Sequence, residues 1–323
     1  MAAYINIFGQ KVQYLSSDPD PVQTGQVWYN STSNALKYRG SNATSAWATG
    51  GNLNTSRRRL AGTGVSGTAA LAISGTADPP LYNQVESYNG SSWTEVADVN
   101  TAREEHAAAG TYTAALVFGG KSGSATANTE TYNGSSWTEV SNLNTARQEL
   151  TGSGATNTAS IAVGGVPNRA ITENWNGSSW TEVGDLNTGR SSFRGGSGTP
   201  TSALVFGGAA GPYVAVTESW NGSAWTEVAD LNTAAGYGAQ TIGDSNTSAL
   251  AAGGYTGSDT SNTERWNGSS WTEVANIPVA TVNHGGSGTA SSGIIFGGRN
   301  PSVTNNSYEW TGAGAVTKTV STS

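Results

Sequence analysis

One nine-residue string recurs along the chain and limits what it can fold into. Tyr-Asn-Gly-Ser-Ser-Trp-Thr-Glu-Val occupies 88–96 and 132–140; it returns with Trp for the leading Tyr at 175–183 and 266–274, and with Trp and a central Ala at 220–228. The second aromatic falls at Trp93, Trp137, Trp180, Trp225 and Trp271, at spacings of 44, 43, 45 and 46 residues. Such a period holds four short strands with their turns and exceeds a leucine-rich or ankyrin repeat. Helical repeats of that length need runs of Leu, Lys and Glu. This chain instead carries 44 glycines in 323 residues and is rich in Thr, Ser and Asn. One antiparallel unit, used over and over, is the expectation.

Each unit reads strand by strand. After Asn-Thr-Ala-Arg comes a small-residue stretch such as His106-Ala-Ala-Ala-Gly110, suited to inner strands crowded around an axis. An apolar run ending in paired glycine follows: Leu116–Gly120, Ile161–Gly165, Leu204–Gly208, Leu250–Gly254 and Ile294–Gly298, with a degenerate version at Leu71–Gly75. The third strand carries Glu-x-Tyr or Glu-x-Trp and the fourth Trp-Thr-Glu-Val, linked by Asn-Gly, a strong hairpin signal. The six diglycine-type units predict an all-β fold, a six-bladed β-propeller of four-stranded blades.

The diglycine after an apolar strand, the third-strand aromatic, the fourth-strand Trp and the Arg opening the next unit together resemble the Kelch repeat over residues 34–323. The departures are a very short Asn-Gly-Ser-Ser link and the replacement of the Arg by Ala235 and Thr281 in the last two units.

Trp47 lies six residues before Leu53, as Trp93 lies six before Val99. It therefore reads as a fourth strand that precedes the first unit and completes the last, whose own C-terminal stretch has Ala315 where a Trp would stand. Tyr38 and Tyr308 both look like third-strand aromatics, and Val316–Val320 alternates like a strand; the pattern leaves open which is displaced. Residues 1–33 form a separate arm in this reading. Ser16–Val22 is a turn-rich linker, and 25–38 a short hairpin. The arrangement Gly25-Gln-Val-Trp-Tyr-Asn-Ser-Thr32 resembles the N-terminal segment of structural proteins of marine bacteriophages, which carry Kelch-like repeats behind it.

Composition excludes several chemistries. With no cysteine there is no disulfide framework or cysteine zinc site, and two histidines, His106 and His284, make no metal centre. A net charge of −7 offers no basic surface to nucleic acid, and no apolar run is long enough to span a membrane. The N-terminus lacks a secretory pattern. No cofactor is called for. Glu86, Glu130, Glu173, Glu218 and Glu264, with Glu95, Glu139, Glu182, Glu227 and Glu273, recur in every unit and read as scaffold, since a catalytic pair occurs once per site. No catalytic residue is assigned.

Arg57, Arg103, Arg147 and Arg190 hold one equivalent point in successive units, so they should gather on one face. Facing solvent, they would bind an anionic ligand bidentately; facing inward, each would tie a loop carbonyl or an acid. Trp28 and Tyr29 are the expected attachment anchors of the arm. The resulting expectation is a non-enzymatic virion structural protein, made in the host cytoplasm and extracellular after lysis. Its arm would hold other virion proteins in a symmetric assembly, and its propeller would bind a host-surface glycan or protein, or decorate the particle. A glycan-active enzyme of sialidase type and a Kelch-type protein-interaction adaptor are the alternatives, although the sialidase Asp-box is not met by Ser87-Tyr-Asn-Gly-Ser-Ser-Trp93.

Overall fold

Runs of β-branched and aromatic residues, broken at short intervals by Asn-Gly and Gly-Gly, cannot accumulate helical turns. The computed structural model describes residues 12–20, 26–41, 45–193, 195–238, 242–312 and 315–319, and among them there is no helix. The chain divides into two compact units, Met1–Ser45 with Gly312–Ser323, and Ala46–Thr311.

In the larger unit, four-stranded antiparallel sheets follow one another along the chain, a propeller-like arrangement. The first comprises Ala61–Ser66, Ala69–Thr76, Leu81–Tyr88 and Trp93–Val96, and the second Ala107–Thr111, Ala114–Phe118, Thr129–Tyr132 and Trp137–Val140. Equivalent sheets run from Thr151 to Glu182, from Gly195 to Val228 and from Gly243 to Glu273. The last joins Gly285–Gly288, Ser292–Phe296 and Ser307–Thr311 to Ala46–Thr49, from the other end of the chain. There Trp310 lies opposite Trp47, as Tyr88 lies opposite Trp93. Trp310, rather than Tyr308, is thus the third-strand aromatic of that sheet.

The fourth-strand tryptophans knit neighbouring sheets together. Trp180, Trp225, Trp271 and Trp47 each donate their indole N–H to a threonine hydroxyl at the start of the preceding sheet's third strand (Thr129, Thr172, Thr217 and Thr263), and Trp93 donates to Ser307. Trp137 is the exception. Val85 stands at the matching place, and the indole turns to the Ala97 carbonyl at 2.9 Å. Phe118, Phe206 and Phe296 meet Trp180, Trp271 and Trp93 edge-on at 4.8–4.9 Å, the geometry that aromatic quadrupoles favour. First strands approach so closely that a Cβ on Gly62 would sit 2.3 Å from the Gly286 carbonyl oxygen.

The Asn-Gly links do form hairpins, but not as tight two-residue turns. Four residues, 89–92, separate the paired Tyr88 and Trp93, and Asn89 Oδ1 accepts the N–H groups of Ser91 and Ser92 at 3.0 Å. The asparagine carbonyl holds the loop, an Asx-type turn, while Gly90 takes a φ of +93°.

The smaller unit has one mixed sheet. Gln13–Leu15 runs parallel to Val27–Asn30, which pairs antiparallel with Ala35–Ser41, itself paired with Ala315–Thr319. The expected hairpin over 25–38 is therefore formed by its described residues. Ala35–Ser41, expected within the propeller segment 34–323, pairs here with the arm and the C-terminal strand instead; Tyr38 belongs to this sheet. Residues 1–11 and 320–323 of the two expected segments lie outside the described residues.

Candidate functional site: a ring of strained side chains

The repeated arginines do not form a solvent-facing arc. Arg57, Arg103, Arg147 and Arg190 are fully buried, each against the third-strand glutamate of its own sheet. The nitrogen–oxygen distance is 3.0 Å for Arg57–Glu86, 2.8 Å for Arg147–Glu173 and 3.3 Å for Arg190–Glu218, with Arg103–Glu130 also in contact. Arg147 also donates to the carbonyls of Gly164 and Ile171 at 2.9 and 2.8 Å. The other carboxylate oxygen of each glutamate accepts the backbone and side-chain N–H of the Asn that opens the motif, Asn144 in the case of Glu173. Asn-Thr-x-Arg is thus a clamp on its own sheet, and burial lowers the arginine pKa values, to about 10 at Arg190. A buried guanidinium needs a paired carboxylate, which is why the anionic-ligand reading of these four residues fails. In the fifth repeat Ala235 replaces the arginine, yet Glu264 still accepts from Asn232.

Trp28 is not a surface anchor either. It is fully buried, and its indole N–H donates to Asp18 Oδ1, which also takes Asn30 and Lys37. These donors, Asn30 foremost, hold the Asp18 carboxyl well below its ordinary range. Tyr14 is 75% exposed and stacks on Tyr29 at 5.2 Å.

Two residues beyond each arginine position lies the feature that sequence reasoning missed. Arg59, Glu105, Glu149, Ser192, Tyr237 and Asn283 all have positive φ, between +50° and +58°. Their backbones form one closed circuit. The N–H of Glu105 reaches the carbonyl of Arg59, Glu149 that of Glu105, Ser192 that of Glu149, Tyr237 that of Ser192, Asn283 that of Tyr237, and Arg59 that of Asn283, at 2.8–3.0 Å. The left-handed conformation costs a side-chain-bearing residue on the order of 1 kcal/mol or more, and glycine relieves it. A chain with 44 glycines places none at these points. The side chains are retained against that strain.

They line a half-open pocket with a cavity volume of about 40 Å³, together with Leu60, Leu150, Phe193 and His284. Arg59 Nη1 meets Glu104 at 3.0 Å and Glu105 at 3.4 Å. Gln148 donates to Glu105 Oε2 at 2.9 Å, and the hydroxyls of Ser192 and Tyr237 meet Glu149 Oε2. Burial, reinforced by the neighbouring Glu149 charge, pushes the Glu105 carboxyl up to about 7. Tyr237 lines the pocket, and Tyr213 lies edge-on to it at 6.2 Å and to Tyr255 at 5.6 Å. Among the described residues no cluster of three or more His, Cys, Asp or Glu side chains is placed to hold a metal ion. One signal was available in the sequence: at a fixed offset from a repeated motif, otherwise matching repeats disagree, reading Arg, Glu, Glu, Ser, Tyr and Asn. Compared with known proteins, the chain matches no protein-family model and no curated protein.

Proposed function

We propose that this chain is a non-enzymatic virion structural protein that displays a six-bladed, Kelch-like β-propeller for host-surface glycan recognition. The observation that carries the recognition role is the ring of unlike, strained side chains on a scaffold whose outer turns are nearly identical. A purely architectural ring would favour glycine at every left-handed point; diversity there suits a ligand with unlike faces. Six blades and closure by Ala46–Thr49 are supported by the Trp47–Trp310 pairing, by the indole bond from Trp93 to Ser307 and by the closed backbone circuit. The virion assignment draws on the resemblance of residues 25–32 to marine phage structural proteins. Attachment falls to the smaller unit, with Tyr14 and Tyr29 in place of Trp28. Mass spectrometry and immunogold labelling of purified particles test the assignment; a protein absent from particles and confined to infected-cell lysate would refute it.

A glycoside-cleaving enzyme is the second reading, favoured by a carboxyl held near 7 beside a second carboxylate. Release of chromophore from nitrophenyl glycosides, abolished by Glu105→Gln, would support it over display.

A further inference from the structure

The pocket is lined by the polar groups of Arg59, Glu105, Glu149, Ser192 and Asn283 and by the ring of Tyr237. We propose that the ring pocket takes the terminal residue of a neutral sugar, with its ring face against Tyr237 and its hydroxyls on Glu105, Glu149 and Asn283. This rests on the recognition role proposed above and specifies its ligand.

The chemistry points to an uncharged, hydroxyl-rich ligand for three reasons. Small-molecule sites combine an apolar or aromatic wall with a few placed polar groups, and here Tyr237 lines the pocket beside Leu60, Leu150 and Phe193. A carboxylate accepts from sugar hydroxyls, and an Asn amide both accepts from and donates to them. The charge lining the pocket disfavours acidic sugars. Arg59 is already engaged by Glu104 and Glu105 and lies within 3.9 Å of Asp78, while Glu149 adds further negative charge. A sialic or uronic acid carboxylate would face the Glu149 carboxylate with Arg59 already held by Glu104 and Glu105, the opposite of what an exposed arginine arc would have selected.

The left-handed backbone supplies a favourable test. Tyr237→Gly and Asn283→Gly delete the side chain while relieving backbone strain, so the loss of a ring group need not unfold the protein. Full-length protein is applied to a printed array of oligosaccharides ending in neutral hexoses, sialic acid or uronic acid, and hits are titrated calorimetrically. Binding is expected to the neutral termini alone, weakened at least tenfold by either glycine variant with the melting temperature held. Tyr112→Ala, an exposed aromatic at the far end of strand Ala107–Thr111, should leave it unchanged. Equal or better binding to acidic termini, or neutral binding indifferent to both glycine variants, overturns the pocket assignment while leaving glycan recognition standing. Binding to none of the three classes removes both.

Discussion

Arg103 and Glu130 are both shut away from water, so their charges cannot be separated cheaply. Taking one partner from such a pair strands the other, at a cost of about 3–5 kcal/mol. Glu130→Gln should therefore lower the urea midpoint sharply, and Arg103→Lys should do so as well because the planar fork is lost; an unchanged midpoint in both would show that the clamp is dispensable. Titration at the ring carries its own sign. The Glu105 carboxyl, raised to about 7 from an ordinary 4.5, contributes stability that is complete below about pH 4.5 and lost as pH climbs to 7, because the fold holds a proton that the unfolded chain has released. Buried His106 works the other way. Desolvation lowers it to about 3 from 6.5, so its contribution is complete above 6.5 and lost on acidification towards 3. The two slopes oppose one another between 4.5 and 6.5 and act alone outside that window. The melting temperature should fall between pH 6.5 and about 7 in the native protein, and Glu105→Gln should flatten that limb. An identical fall in both proteins would remove Glu105 as its source.

At the level of a single sheet, the fourth-strand tryptophan finds a hydroxyl on the neighbouring sheet everywhere except at Val85. That gap makes an unusual substitution attractive. Burying a threonine hydroxyl where valine stood ordinarily costs about 1–3 kcal/mol. In Val85→Thr the new hydroxyl would face the Trp137 indole as Thr129 faces Trp180, and the expected cost is within about 1 kcal/mol of zero. Thermal melts decide it, and a loss of several degrees would mean that Trp137 cannot leave the Ala97 carbonyl. The four-residue Asx-type turns explain why Asn-Gly recurs with so little variation. The asparagine must offer its side-chain carbonyl to two N–H groups, and the next residue must accept a positive φ.

For the whole molecule, the decisive strand is Ala46–Thr49, which completes the sheet formed from the far end of the chain. A fragment spanning 46–311 retains it, whereas 53–311 exposes the unpaired edge of Ser307–Thr311. Open edges recruit other chains. The longer fragment should elute as a cooperative monomer and the shorter one as oligomer or precipitate. Monomeric behaviour of 53–311 with an unaltered melting temperature would show that this strand is not needed.

The sequence by itself determined the antiparallel sheet unit. Its length follows from the spacing of Trp93 through Trp271, its strand order from the diglycine and Asn-Gly punctuation, and the placement of Trp47 with the last unit from its distance to Leu53. These depend on neighbours in the chain or on a repeat that copies the same local rules. Only the tertiary structure decided where side chains point. Whether Arg103 faces water or Glu130 depends on packing between strands, and nothing in Asn-Thr-Ala-Arg states it. Trp28 looks like a surface aromatic until Asp18, ten residues away, takes its indole N–H. The pocket is further from view still. Arg59 and Asn283 stand 224 positions apart in the sequence, and each is unremarkable alone. Their meeting depends on the backbone circuit that links one residue from every repeat, and no local rule encodes a contact that the whole set of sheets must form together.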